Sequence, residues 1–222
     1  MTIKDIIIIG ASGFAKEVLW LIREINKITN EWNILGFIDS EISQNKDTIH
    51  GYKVIGDDNW LLSYKEPIYV TCGIGSPKHR ARIMRKFESK SNIEFPNLIF
   101  PGTLVADGAA MGKGCIICAN NVISVDSRLG DFVTINIGCV VGHDAVLKDY
   151  VTLNPNVNIS GNVFVETETD LGTGSKVIQG INVGKHTIVG AGAVVIRDIP
   201  DYCTAVGNPA KVIKINEPLE GK

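Results

Sequence analysis

Within this 222-residue chain, side chains and bare backbone offer chemistry at a few places. His143 stands between Gly142 and Asp144, and an imidazole beside a carboxylate is suited to taking up a proton near neutral pH. A lone histidine at a turn is nonetheless more often surface decoration than a base. His186, in Gly-Lys-His-Thr, reads as solvated. Cys115 and Cys118 form C-x-x-C, but no second pair completes a zinc site, so they read as structural filler and no metal is expected. Gly10-Ala11-Ser12-Gly13-Phe14-Ala15 and Gly73-Ile74-Gly75-Ser76-Pro77 each follow an apolar run and open a helix. Free N–H groups and the positive end of a helix dipole can face a phosphate there. Asp39 ends the intervening strand, where an acid accepts hydrogen bonds from a ribose or a base. The first turn is G-x-x-G-x-A rather than G-x-G-x-x-G, which argues against a nicotinamide cofactor. The cations from Lys78 to Lys90 read as a solvated helix face, with Arg80, nearest the turn, as the exception.

His143 is positioned by a six-residue rhythm. From Val105 through Val195, every sixth residue is Ile, Leu, Val or Met, over sixteen positions without a frame shift. Four residues after each anchor the side chain is small, polar or β-branched, as at Ala109, Cys115, Asn121, Cys139 and Ala193, while Gly, Asn, Asp and Lys gather between. A large side chain at that inside corner would strike the next layer, so the pattern reads as short strands joined by tight corners. Three such hexads make one triangular coil, and the sixteen predict about five coils stacked as a prism. His143, third in its hexad, falls at a corner, and Cys115 faces inward.

Residues 1–98 lack the rhythm and alternate strands with helices, the pattern of a small Rossmann-like α/β domain. Strands are expected at Asp5–Ile9, Ile34–Ile38 and Ile68–Cys72, with helices to about Lys27 and from about Lys78 to Lys90. Pro96, Pro101 and Gly102 mark the junction, and residues 99–222 form the second domain. A solenoid needs its ends covered; the α/β domain is expected over the first coil and Ala205–Ile213 over the last, before a polar tail. The net charge of −2 and pI near 6.1 give no general pull toward nucleic acid or an anionic membrane. Five cysteines without framework spacing, no secretory leader and no transmembrane run fit a cytoplasmic protein.

Ile-Ile-Gly-Ala-Ser-Gly-Phe-Ala-Lys-Glu-Val, Gly-Phe-Ile-Asp, Ile-Asn-Ile-Gly, Gly-His-Asp, Ile-Ser-Gly-Asn-Val and Val-Gly-Asn-Pro-Ala-Lys span nearly the whole chain. In these motifs the sequence resembles the bacterial hexapeptide-repeat sugar acetyltransferases, which include nucleotide-linked 4-amino-sugar N-acetyltransferases and sialic acid O-acetyltransferases. The resemblance implies a left-handed parallel β-helix and a homotrimer with acetyl-CoA between neighbouring prisms. It also implies a nucleotide sugar, UDP-linked, on the α/β domain. Carried onto this chain, His143 matches the catalytic base, Asp144 its neighbouring acid and Asn136 a polar residue one strand earlier. Gly161, 18 residues after His143, matches an amide that meets the acetyl carbonyl, and Thr173 and Ala191 match positions along the acetyl-CoA groove. Gly10, Ser12, Gly13, Asp39, Gly73 and Arg80 match the nucleotide-sugar side.

A thioester is already activated, so transfer needs only an aligned amine, a base and a donor for the oxyanion. The reading is direct transfer without an acyl-enzyme. Thr152 departs from the family, in which many members carry a second histidine nine residues after the first. Hexads 165–170 and 177–182 lack the usual small second residue. The alternatives are a sialic acid O-acetyltransferase and a non-catalytic nucleotide-sugar-binding protein, with an oxidoreductase weakest.

Overall fold

The computed structural model describes residues 3–41 and 48–216. Its first part comprises β1 (Lys4–Ile9), α1 (Gly13–Thr29), β2 (Trp32–Ile38), β3 (Val54–Gly56), α2 (Asp58–Ser63), β4 (Ile68–Cys72), α3 (Pro77–Met84) and β5 (Ile93–Glu94). The strands form one parallel sheet in the order β3-β2-β1-β4-β5. The run Ile6 to Ile9 is apolar throughout because both of its faces are covered. Ile6 and Ile8 pack with Ala15, Val18 and Ile22 of α1, whereas Ile7 and Ile9 pack with Ala81 and Met84 of α3. Helices therefore lie on opposite faces, and the strand order reverses between β1 and β4. That reversal opens a crevice at the C-terminal ends of these strands.

The expected strands and helices are present, with β3, α2 and β5 in addition. Helix α3 stops at Met84 rather than Lys90. Lys86 and Phe87 donate to carbonyls three residues back, at Ile83 and Met84, which tightens the chain into turns and buries Phe87.

From Leu98–Ile99 to Val194–Val195, seventeen two-residue strands follow among the described residues. Each as far as Lys176–Val177 pairs in parallel with the strand 18 residues on, as Val140–Val141 does with Asn158–Ile159. Three faces result. The first holds Ile116–Ile117, Thr134–Ile135 and Thr152–Leu153; the second Val122–Ile123 and Val140–Val141; the third Arg128–Leu129 and Val146–Leu147. The second residue of each pair points into a continuous aliphatic core. Corners recur with the same period: every sixth residue from Gly102 to Gly192 has positive φ. Most are Gly, Asn or Asp, which enter the left-handed region most readily. Hexads 165–170 and 177–182 keep the frame, since Asp170 still pairs with Ile188 and Asn182 with Phe164.

The α/β domain does not cap the first coil, contrary to expectation. It packs against the side of the prism, where Leu98, Ile116 and Cys118 join the cluster of α1, and Phe132 and Tyr150 join that of α3. Val105, an inward anchor of the first coil, is left 42% exposed. The apolar groups that α1 and α3 offer match a flat strand face better than a triangular end. The expected domain boundary at 98/99 runs through the first solenoid strand, Leu98–Ile99, which pairs with Ile116–Ile117. At the other end, strand Cys203–Val206 joins the first face beside Ile188–Val189 and turns back antiparallel into strand Lys211–Ile215. The polar tail beyond lies outside the described residues.

Candidate active site

His143 sits on the edge between the second and third faces, reached directly from strand Val140–Val141. Asp144 takes the left-handed corner conformation, with φ of 57°. The bend sets its carboxylate beside the ring, with Asp144 Oδ2 2.8 Å from His143 Nδ1. Both side chains are about half exposed, at 49% and 52%. One coil further along the same edge lies Gly161. A Cβ there would stand 2.3 Å from His143 Nε2 and 2.4 Å from Cε1, so only glycine admits the imidazole in this position. Asn162 N–H donates to the His143 carbonyl at 2.9 Å, tying the two corners together. Among the described residues the Gly161 N–H has no acceptor.

Asn136, Thr173 and Ala191 fall on a different edge, between the first and second faces, and the strand Val140–Val141 separates Asn136 from His143. Asn136 Oδ1 accepts from the Ile137 N–H at 2.7 Å. Within one chain the residues expected around the acetyl group are thus split between two edges.

On the α/β domain a cavity of about 310 Å³ lies at the strand-order reversal. Gly10, Ser12, Asp39 and Ile74 line it, the first two from the turn after β1. Asp39 is engaged with the backbone, its Oδ2 accepting from Ala11 N–H at 2.9 Å and its Oδ1 from Glu41 N–H at 2.8 Å. It fixes the first turn to the end of β2. Gly13 opens α1, and Gly73 is buried beneath the cavity. A Cβ on Gly73 would lie 2.6 Å from Ala15 Cα, so this glycine lets the two turns interlock rather than lining the space.

Arg80 requires a correction. It is 1% exposed, and its donors are directed into the protein, to carbonyls of Ile74, Gly75, Phe132 and Tyr150 and to Thr152 Oγ1. It does not reach the cavity. The basic side chains that do are Arg82 and Lys86, which sequence reasoning assigned to a solvated face, joined by His79. Their spacing of three and four residues puts them on one side of α3 and its extension, opposite Arg80, Met84 and Phe87; helical period, rather than nearness to the turn, carried the signal. Arg82 Nη2 lies 3.1 Å from His79 Nε2, and Lys86 pairs with Asp58 at 2.6 Å.

Thr152, the departure from the resemblance noted in the sequence, is buried at the domain junction. Burial pushes the thiols of Cys115 and Cys118 up to about 12. Among the described residues no group of His, Cys, Asp or Glu could hold a metal ion, and no helix is long and apolar enough to cross a membrane.

Residues 5–87 match the PglD N-terminal domain family. Three solved structures resemble the chain over nearly its full length. A perosamine N-acetyltransferase variant from Caulobacter crescentus, in complex with CoA and GDP-perosamine, is 31% identical with a TM-score of 0.85, covering 96% of this chain and 98% of that one. The acetyltransferase domain of PglB from Neisseria gonorrhoeae, bound to acetyl coenzyme A, is 31% identical with a TM-score of 0.87 and coverage of 96% and 100%. WeeI from Acinetobacter baumannii is also 31% identical, with a TM-score of 0.84 and coverage of 96% and 100%. No match was found among curated proteins.

Proposed function

The chain belongs to the bacterial hexapeptide-repeat sugar acetyltransferases, and on that premise we propose that it moves an acetyl group from acetyl-CoA to the amine of a nucleotide-linked 4-amino sugar. The observation that carries the reading is the seating of the His143 ring against Gly161 with Nδ1 on the Asp144 carboxylate. A proton on Nδ1, held by Asp144, leaves the Nε2 lone pair free to accept. As the amine attacks the thioester carbon, Nε2 takes its proton. The Gly161 N–H is the donor for the oxyanion. Collapse forms the amide, breaks the C–S bond and passes the proton to the departing thiolate. No acyl-enzyme is needed, because the thioester is already activated.

The acceptor lies in the cavity of the α/β domain, its phosphates toward the two turns and the cations of α3, its base or ribose toward Asp39. UDP is the nucleotide expected from the sequence resemblance, and the GDP-perosamine relative makes GDP its rival. Sialic acid O-acetylation is the second reading; a free sugar would leave the cavity without a role. We place the protein in the cytoplasm as a homotrimer whose active sites form between subunits.

The test is release of CoA thiol from acetyl-CoA with UDP-, dTDP- and GDP-linked 4-amino sugars and free sialic acid. Turnover with one nucleotide sugar that collapses in His143→Ala supports the reading. Turnover with sialic acid alone moves the protein to the O-acetyltransferase branch. No transfer to any acceptor favours a non-catalytic binding protein.

A further inference from the structure

Arg80 is a buried cation that among the described residues forms no salt bridge. An apolar side chain of like volume would leave the buried carbonyls that Arg80 serves without a donor. The guanidinium divides its donors between two bodies. Nη1 donates to Ile74 O at 2.9 Å and Gly75 O at 3.0 Å, in the turn after β4. Nε donates to Phe132 O at 3.1 Å, while Nη2 donates to Tyr150 O at 2.9 Å and Thr152 Oγ1 at 2.8 Å, all on the solenoid. The Thr152 hydroxyl in turn donates to Gly75 O at 3.2 Å, so one carbonyl of the turn is held from both sides.

The consequence lies across the peptide bonds. In a trans peptide the C=O and the following N–H point in opposite directions. With the Ile74 and Gly75 carbonyls drawn inward to Arg80, the N–H groups of Gly75 and Ser76 point away from it. Among the described residues neither has an acceptor. Ile74 of the same turn lines the cavity, and Gly73 locks the turn onto α1.

We infer that Arg80 and Thr152 position the acceptor: they hold the turn after β4 so that its Gly75 and Ser76 N–H groups meet the phosphates of a nucleoside diphosphate sugar, at a fixed place relative to the solenoid. This rests on the acceptor reading given above. It also gives the buried Thr152 hydroxyl a role of its own.

The variant to make is Thr152→Val, matched in shape and lacking only the hydroxyl, with Thr152→Ser as the conservative control and Arg80→Lys as the harsher change. Binding of UDP, GDP and CoA is measured separately by calorimetry on the full chain, with thermal unfolding recorded for each variant. Wild type binds UDP or GDP, and Thr152→Val weakens that affinity roughly five- to tenfold, the worth of one buried hydrogen bond. CoA affinity stays unchanged, and Thr152→Ser restores nucleotide binding. Equal nucleotide affinity in Thr152→Val and wild type overturns the inference even if the melting temperature drops, because a stability tie alone would do that. Parallel loss of CoA binding overturns it as well, pointing to general loosening. If wild type binds neither nucleotide, the acceptor reading falls and the positioning role falls with it.

Discussion

At the scale of single residues, the closest steric margin in the site is that between Gly161 and His143. Gly161→Ala would put a methyl 2.3 Å from Nε2 and force the ring aside. A displacement near 1 Å at a reacting group costs about 10²-fold in rate. We expect kcat of Gly161→Ala to fall roughly a hundredfold, with melting temperature and circular dichroism unchanged. Wild-type turnover in that variant would show that the ring does not work from this position. The cysteines make the opposite prediction. Burial pushes Cys115 and Cys118 up to about 12, and Cys72 and Cys139 up to about 11, from an ordinary value of 9.0. The native thiols should resist thiol reagents at neutral pH and react only on unfolding, as a native-versus-urea titration would read. Because the unfolded chain ionises first, stability is unaffected below the ordinary thiol pKa and declines as pH rises above it. Rapid native labelling of Cys115 or Cys118 would reopen the C-x-x-C question.

At the scale of elements, the corners show where sequence and fold conspire and where they conflict. The left-handed corner position takes Gly, Asn or Asp nearly everywhere, but the column between the third and first faces holds Phe132, Tyr150, Glu168 and His186. A left-handed conformation costs such residues about 1–2 kcal/mol each. Contacts offset it. Tyr150 stacks on Phe132 at 5.1 Å, lies under the Arg85 guanidinium and donates to Glu88, while Glu168 pairs with Arg85 at 2.5 Å. Tyr150→Gly relieves the strain yet loses an aromatic core contact of about 3–5 kcal/mol, for a net loss near 2 kcal/mol. Asn162→Gly, at a corner on the His143 edge, should change stability by only a few tenths of a kcal/mol, since Asn already tolerates that conformation. Urea unfolding of the two variants distinguishes them; equal stabilities would mean that the column carries no interdomain energy.

That column also marks what was legible in the sequence. The solenoid frame was, because one aliphatic residue in six must face a core that repeats every 18 residues. The β1 and β4 turns were, through their glycines. The bulky corner residues were visible as exceptions, but their meaning lay in Arg85, Glu88 and the side-on docking of α3, contacts 62 to 83 residues apart in the chain. Arg80 misled for the same reason: a cation near a turn looks solvent-bound until the partner carbonyls 52 to 70 residues away close over it.

At the scale of the molecule, the split of the residues proposed for the acetyl side between two edges is what a site shared between two copies would give. His143, Asp144 and Gly161 occupy one edge, and Asn136, Thr173 and Ala191 the next. The face between them presents Leu104, Val122 and Val140 outward, exposed by 65%, 37% and 38%. Three prisms sharing a three-fold axis would bury such faces and bring one edge of each against the other edge of its neighbour. Sedimentation should therefore give three times the 24.0 kDa chain mass, and Val140→Glu should give inactive monomers with an intact solenoid. The sharper test is complementation. His143→Ala removes the base from one edge, and Ala191→Trp blocks the groove on the other. Each variant alone should be inactive. When the two are unfolded, mixed equally and refolded, random assembly places an intact base beside an open groove at about a quarter of the sites, and that fraction of wild-type activity should return. If each chain instead built its whole site alone, every chain in the mixture would carry one lesion, and no activity would come back however the subunits were shuffled.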